Sequence, residues 1–196
     1  MVYLEDNGKC INNNNNNENN NCSSENNENI IYEKKYVDKN NIFSINNKFI
    51  NIRILNLTCN NISNIDTLEI VDFENLEKLY LNNNKITNIN ILAKVRFKQL
   101  KELYLNGNNI SNIEILEKVN FQNLELLDLS CNKIFNIDVL EKVNFTKLKS
   151  MSLHKNKISN IDKIKLAKFE NLELLELSHN VIIDISPLKD AKFKNL

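Results

Sequence analysis

An asparagine returns every 24 residues through most of this 196-residue chain, at Asn60, Asn84, Asn108, Asn132, Asn156 and Asn180. A fixed period of that length means that one small unit is copied along an axis. A unit so short cannot bury its apolar face alone, so neighbours must stack to make a core. The apolar residues keep fixed offsets from each asparagine. Leu76, Leu79, Leu81, Asn84, Ile86 and Ile89 spell L-x-x-L-x-L-x-x-N-x-I-x-x-I. The same slots hold Ile52, Leu55, Leu57, Ile62 and Ile65 in the first full repeat, and Leu172, Leu175, Leu177, Ile182 and Ile185 in the sixth. At the second Leu slot only Met151 departs from leucine.

Inside one repeat the spacing changes along the chain. Over 76–82 the apolar Leu79 and Leu81 alternate with Lys78, Tyr80 and Asn82, the period of a half-buried strand. Copies of one strand set side by side pair in parallel. The recurring Asn follows on a turn, where its amide supplies an acceptor and two donors; an aspartate could not donate. It therefore suits buried backbone groups of neighbouring turns. After Ile-x-x-Ile comes a polar starter, Asp66, Asn90, Glu114, Asp138, Asp162 or Ser186, which the pattern assigns as the N-cap of a short helical segment. Asp66 with Glu69 and Asp138 with Glu141 have capping-box spacing, and Pro187 follows Ser186 at a favoured first helical position. Phe73, Phe97, Phe121, Phe145, Phe169 and Phe193 form a second 24-residue ladder, expected as a structural spine under the opposite side.

The motif resembles the leucine-rich repeat family, over roughly the last three quarters of the chain. Asn180, Ile182, Asp184, Ile185, Ser186, Pro187 and Leu188 match the N-x-I-x-D-I-S-P-L form of its short-repeat group, which includes phosphatase-regulatory subunits, axonemal dynein light chains and bacterial internalins. The resemblance implies an α/β solenoid: a horseshoe with a concave parallel β-sheet and short helices or helical turns on the convex side. It also implies a binding architecture rather than a catalytic one. The repeat here is slightly longer than that group's usual one, and none of the group's target-contacting residues can be placed on this chain.

The outward strand slots predict the concave surface rung by rung. Its central column is Asn56, Tyr80, Tyr104, Asp128, Ser152 and Glu176. One flank holds Ile54, Lys78, Glu102, Leu126, Ser150 and Leu174; the other holds Thr58, Asn82, Asn106, Ser130, His154 and Ser178. Tyr80 and Tyr104 become neighbours about 4.8 Å apart. With Ile54, Leu126 and Leu174 beside them they resemble a protein-recognition patch, since aromatic anchors dominate interface energetics. The expected function is a non-enzymatic protein–protein interaction module that binds its partner on this face. The alternative is a regulatory or targeting subunit of an enzyme such as a Ser/Thr phosphatase, or the recognition fragment of a longer multidomain protein.

Three regions are expected: 1–29 as a disordered Asn-rich tail, 30–49 as an imperfect N-terminal capping repeat, and 50–196 as six full repeats plus the start of a seventh at Leu196. The tail has too few apolar residues to offset the entropy of ordering it. In the capping repeat Tyr32, Val37, Asn40, Ile42 and Ile45 fit the template while Lys35 breaks it, with Tyr32 in the slot of Ile52. With no capping element after the sixth repeat, its edge is expected to invite pairing with another copy of the chain or with another chain.

Charge and chemistry exclude other classes. The 25 basic and 25 acidic residues cancel, which leaves no electrostatic footprint for nucleic acid or an anionic membrane. Neither a signal-peptide core nor a membrane-length apolar run occurs, so a cytoplasmic location is expected, and sequons such as Asn56-Leu57-Thr58 are by-products of composition. Gly8 and Gly107 are the only glycines, which rules out the glycine-rich phosphate and dinucleotide loops; no cofactor is expected. Asp128 and Glu176 lie two rungs apart on a solvated face, and Cys131, His154 and His179 lie close along the chain's rungs without the makings of a metal centre. Cys59 and Cys131, three rungs or roughly 14 Å apart, are too distant to be bridged to one another and are expected as free thiols.

Overall fold

The structure, a computed structural model, describes residues 31–33, 52–191 and 193. The tail, most of the capping repeat and Leu196 lie outside the described residues. Within them, seven short strands form one sheet in chain order, every neighbouring pair parallel: β1 (Ile31–Glu33), β2 (Ile54–Asn56), β3 (Lys78–Tyr80), β4 (Glu102–Tyr104), β5 (Leu126–Asp128), β6 (Ser150–Ser152) and β7 (Leu174–Glu176). From β2 onwards the partners are the 24-residue equivalents, as in Leu79 with Leu103 and Tyr80 with Tyr104. The first pair departs from the template. Tyr32 lies opposite Leu55, not beside Ile52, a shift of three residues from the template's register.

Each strand is only three residues long because the chain turns at the asparagine, but the ladder continues past it. The Leu81 N–H donates to the Tyr104 carbonyl at 2.9 Å, and the Asn83 N–H to that of Asn106 at 2.9 Å. Leucines at the inward slots, such as Leu55, Leu79, Leu103, Leu127, Leu153 and Leu172, are fully buried in one continuous core, and Met151 fills its slot equally well. Under the far side Phe73, Phe97, Phe121, Phe145 and Phe169 are buried, with Phe193 packed against them. Their rings meet edge-on or stacked, with centroids 5.8 Å apart for Phe73–Phe97 and 6.4 Å for Phe97–Phe121.

The repeating asparagine ties each rung to the one before it. The Asn132 Oδ1 accepts from the Ile110 N–H at 3.0 Å, while its Nδ2 donates to the carbonyls of Leu105 at 3.0 Å and Leu129 at 3.1 Å. Asn84, Asn108 and Asn156 repeat this pattern, and all four side chains are buried. Asn180 does the same for the Ile158 N–H and the Leu153 carbonyl.

The residue just before each ladder asparagine is left-handed: Cys59, Asn83, Gly107, Cys131, Lys155 and His179 have φ between 52° and 68°. Only Gly107 takes that conformation without a Cβ penalty, and a Cβ added there would collide with the Asn83 side chain. The strain at Lys155 is relieved by removing its Cβ. Lys155→Gly is therefore expected to raise stability by about 0.5–1 kcal/mol, the left-handed penalty less the extra entropy of an unfolded glycine. Urea denaturation checks this: a midpoint that stays or falls contradicts the assignment.

On the convex side the expected helical segments are single 3₁₀ turns, such as Asp66–Glu69, Glu114–Lys118 and Ser186–Asp190. Their capping differs from the expectation. Asp66, Asn90, Glu114, Asp138, Asp162 and Ser186 begin the turns but do not cap them. The acceptor lies two residues earlier: the Oδ1 of Asn64, Asn88, Asn112, Asn136, Asn160 or Asp184 takes the N–H of that first residue at 2.7–2.8 Å. These are Asx turns, in which a side-chain oxygen stands in for a backbone carbonyl at the entry to the turn. The capping boxes are absent as well, since Glu69 and Glu141 reach across to Lys94 at 3.5 Å and Lys163 at 3.2 Å.

Cys59 is a free, exposed thiol. Cys131 is not: it is disulfide-bonded, which overturns the free-thiol expectation at that position. Among the described residues no helix is long and apolar enough to cross a membrane.

Candidate functional site

Parallel pairing at a constant 24-residue offset lines up the outward strand residues. The register puts Ile54, Lys78, Glu102, Leu126, Ser150 and Leu174 in one row, and Asn56, Tyr80, Tyr104, Asp128, Ser152 and Glu176 in the next. Thr58, Asn82, Asn106, Ser130, His154 and Ser178 follow, one outward slot further on. Most of these residues are half-buried, sheltered by their neighbours on adjacent rungs, while Leu174 and Ser178 are exposed.

At the centre Tyr80 and Tyr104 stack, with ring centroids 4.6 Å apart and planes 7° from parallel. The Tyr104 hydroxyl donates to Glu102 Oε2 at 3.0 Å, and Lys78 Nζ lies 2.8 Å from Glu102 Oε1. Burial, and then the bond to Glu102, push the Tyr104 phenol well above its ordinary pKa. The hydrogen bond to Glu102 raises the Lys78 ammonium. The stack is thus held rigid by an ion pair, and each ring offers a large apolar surface at low entropic cost.

Beyond Tyr104 the central row becomes polar, with Asp128, Ser152 and Glu176. Asp128 Oδ1 accepts the Ser130 N–H at 2.9 Å, and the Ser152 hydroxyl donates to Glu176 Oε2 at 2.8 Å. Burial raises the Asp128 pKa, opposed by its hydrogen bonds from Ser130. A carboxyl that holds its proton more tightly when folded contributes stability at low pH, and that contribution is lost as pH rises through its folded pKa. Asp128→Asn is therefore expected to melt higher than the native chain at neutral pH and equally near about pH 3, where both carboxyl states are largely protonated. Thermal melts at the two pH values check this; a neutral-pH melting point lower in the variant contradicts it.

His154, Glu176 and Ser178 superficially offer a nucleophile, a base and a carboxylate. Their wiring is wrong for that chemistry. Ser178 Oγ, at 2.7 Å, and Glu176 Oε1, at 3.6 Å, both approach the same nitrogen, Nδ1 of His154. A relay needs the hydroxyl on one ring nitrogen and the carboxylate on the other. His154 and His179 meet edge to face at 4.8 Å, and among the described residues no group of three or more His, Cys, Asp and Glu side chains could hold a metal ion.

A fourth row escaped the reading of the strand slots. One residue before the first row, Arg53, Glu77, Lys101, Glu125, Lys149 and Glu173 alternate in sign at every rung. Glu77 lies between two cations, with Arg53 Nε at 2.6 Å and Lys101 Nζ at 2.9 Å, and the bond to Lys101 above all lowers its pKa. Lys149 pairs with Glu125 at 2.7 Å. Comparing that slot at 24-residue intervals would have shown the alternation. Its effect is a flank whose charges cancel locally, so the specific features of the face lie in its central rows.

The convex side is different in kind. A groove of about 980 Å³ runs between the turns, lined by Asn112, Glu117, Asp138 and Lys142 among others. Its charges satisfy one another across rungs, as in Lys142–Glu117 at 3.6 Å and Lys163–Glu141 at 3.2 Å.

Comparison with known proteins agrees with the architecture. A family model described as leucine rich repeat matches residues 50–110 and 122–182, and a two-copy model of the same repeat matches residues 98–142. No curated protein matches. Among solved structures, an internalin (inlF) from Listeria monocytogenes is similar at 28% identity and a TM-score of 0.57, covering 74% of this chain and 48% of the internalin. Internalin C2 from the same organism is similar at 26% identity and a TM-score of 0.60, covering 71% of this chain and 57% of that one. The alignments thus span about half the length of the internalin chains.

Proposed function

Because this chain belongs to the leucine-rich repeat family, whose model matches more than half of it, we propose that it is a protein-interaction module that seats a protein partner on its concave sheet. Leucine-rich repeat domains are typically interaction modules rather than enzymes. The observation that favours the concave face is the Tyr80–Tyr104 stack, a rigid aromatic platform at its centre. Around it lie Ile54, Asn56, Lys78, Glu102, Leu126, Asp128, Ser152, His154, Leu174 and Glu176 as the surrounding contact surface. Photo-crosslinking tests the choice of face. Benzoylphenylalanine in place of Asn106, on the concave side, should give a partner adduct, and the same group in place of Lys118, on the convex side, should not. Adducts from position 118 alone would overturn the proposal.

A further inference from the structure

The stacked tyrosines form a step. One face of Tyr104 is covered by Tyr80, and because the two rings are parallel its other face is turned along the sheet towards the next rung. That rung carries Asp128 in the same row, and the one after carries Ser152; both are much shorter than tyrosine. The row is therefore low past Tyr104, a notch with that ring as one wall and Asp128 and Ser152 as the floor, and the Glu176 carboxylate, which reaches back to Ser152 Oγ at 2.8 Å, closes it as the far wall. Leu126 and Ser150 flank it on one side, Ser130 and His154 on the other.

The charges of this notch do not balance. Glu102 is matched by Lys78. Asp128 is hydrogen-bonded to Ser130, and Glu176 to Ser152 and Ser178, neutral groups all. The nearest cation-forming side chain is His154, whose Nδ1 meets Ser178 and Glu176. We propose that the partner inserts an arginine here, its guanidinium plane against the free face of Tyr104 and its N–H fork on the Asp128 carboxylate, with Glu176 adding attraction from the far wall. This rests on the concave-face reading and adds the chemistry of the partner to it. Arginine fits better than lysine because a planar, weakly hydrated fork can stack on a ring and bond a carboxylate at once, whereas an ammonium does one or the other. Leu126 beside the notch calls for an apolar residue next to that arginine in the partner segment. The raised carboxyl of Asp128 fits this arrangement, since a carboxylate disfavoured in the free protein gains most when a cation arrives.

The test uses a phage-displayed library of random dodecapeptides panned on the full chain. Selected peptides should share one arginine, and replacing it with citrulline, its neutral isostere, should weaken binding at least about tenfold. Asp128→Asn and Tyr104→Ala should each do the same, and the Asp128→Asn protein should melt no lower than the native one, which separates lost charge from lost fold. Peptides that depend on Tyr80 and Tyr104 but are indifferent to citrulline and to Asp128→Asn would overturn the arginine proposal and leave the concave-face reading standing. Lysine-only peptides would overturn the stacking geometry. Binders insensitive to every concave substitution, or no binder that depends on Tyr104, would overturn the proposal, the first result overturning the choice of face as well.

Discussion

Asn132→Ala is expected to lower the unfolding free energy by about 2–3 kcal/mol, as are the equivalent changes at the other buried ladder asparagines. The side chain satisfies the Ile110 N–H and shares the Leu105 and Leu129 carbonyls with Asn108 and Asn156, so alanine would leave the buried Ile110 N–H unpaired and each of those carbonyls with one donor fewer. Asn132→Asp should be at least as damaging, because it keeps the acceptor, loses both donors and buries a charge. Two comparators set the scale. Asn136→Ala removes the Asx bond to the Asp138 N–H at an exposed site and should cost about 1 kcal/mol, as other caps do. Lys133→Ala, on the exposed next residue, should stay within about 0.5 kcal/mol. Chemical denaturation of the four variants should give that order; an Asn132→Ala cost no greater than that of Lys133→Ala would contradict the ladder. Because each rung is held mainly by its neighbours, the loss should also appear as faster hydrogen exchange at Ile110 in the adjacent rung.

That the ladder could be foreseen and the Asx turns could not has a physical reason. Asn84 and its equivalents sit among buried aliphatic residues, where only a side chain that both donates and accepts is tolerated, so the chemistry of the slot forces the residue. The Asx acceptors Asn64, Asn88, Asn112, Asn136, Asn160 and Asp184 face solvent in a chain full of exposed asparagines, and a polar residue two positions later looks equally suited to begin a helix. What distinguishes them is the 3₁₀ geometry of the turn, which composition does not encode. The left-handed position is less legible still: Cys59, Asn83, Gly107, Cys131, Lys155 and His179 share no chemistry because the demand there falls on the backbone alone. The sheet register was legible because a period of 24 with inward leucines leaves one alignment that buries them all, and the rows of the concave face follow from it. The Tyr104–Glu102 bond follows from the same alternation, since residues two apart on a strand share a face. At β1 the period breaks, and with it the inference: Tyr32 pairs with Leu55, three residues from the slot that the template assigned it.

The concave face itself is tested by Tyr80→Ala combined with Tyr104→Ala. The two rings stack on one another at 4.6 Å on the outer side of the sheet, and neither belongs to the fully buried core beneath it. Their loss should cost the fold little beyond the pairing energy of two aromatic rings, about 0.5–1.5 kcal/mol. Their loss to a partner is larger, since central aromatic anchors cost about 2 kcal/mol or more when truncated. A calorimetric titration of the partner recovered by cross-linking at position 106, run against the native chain and against the double variant, therefore tests this binding surface directly. A fall in affinity of about thirtyfold or more, with the circular dichroism spectrum unchanged, is the predicted result. Equal affinities for the two correctly folded chains would contradict it and move the binding surface off the concave sheet.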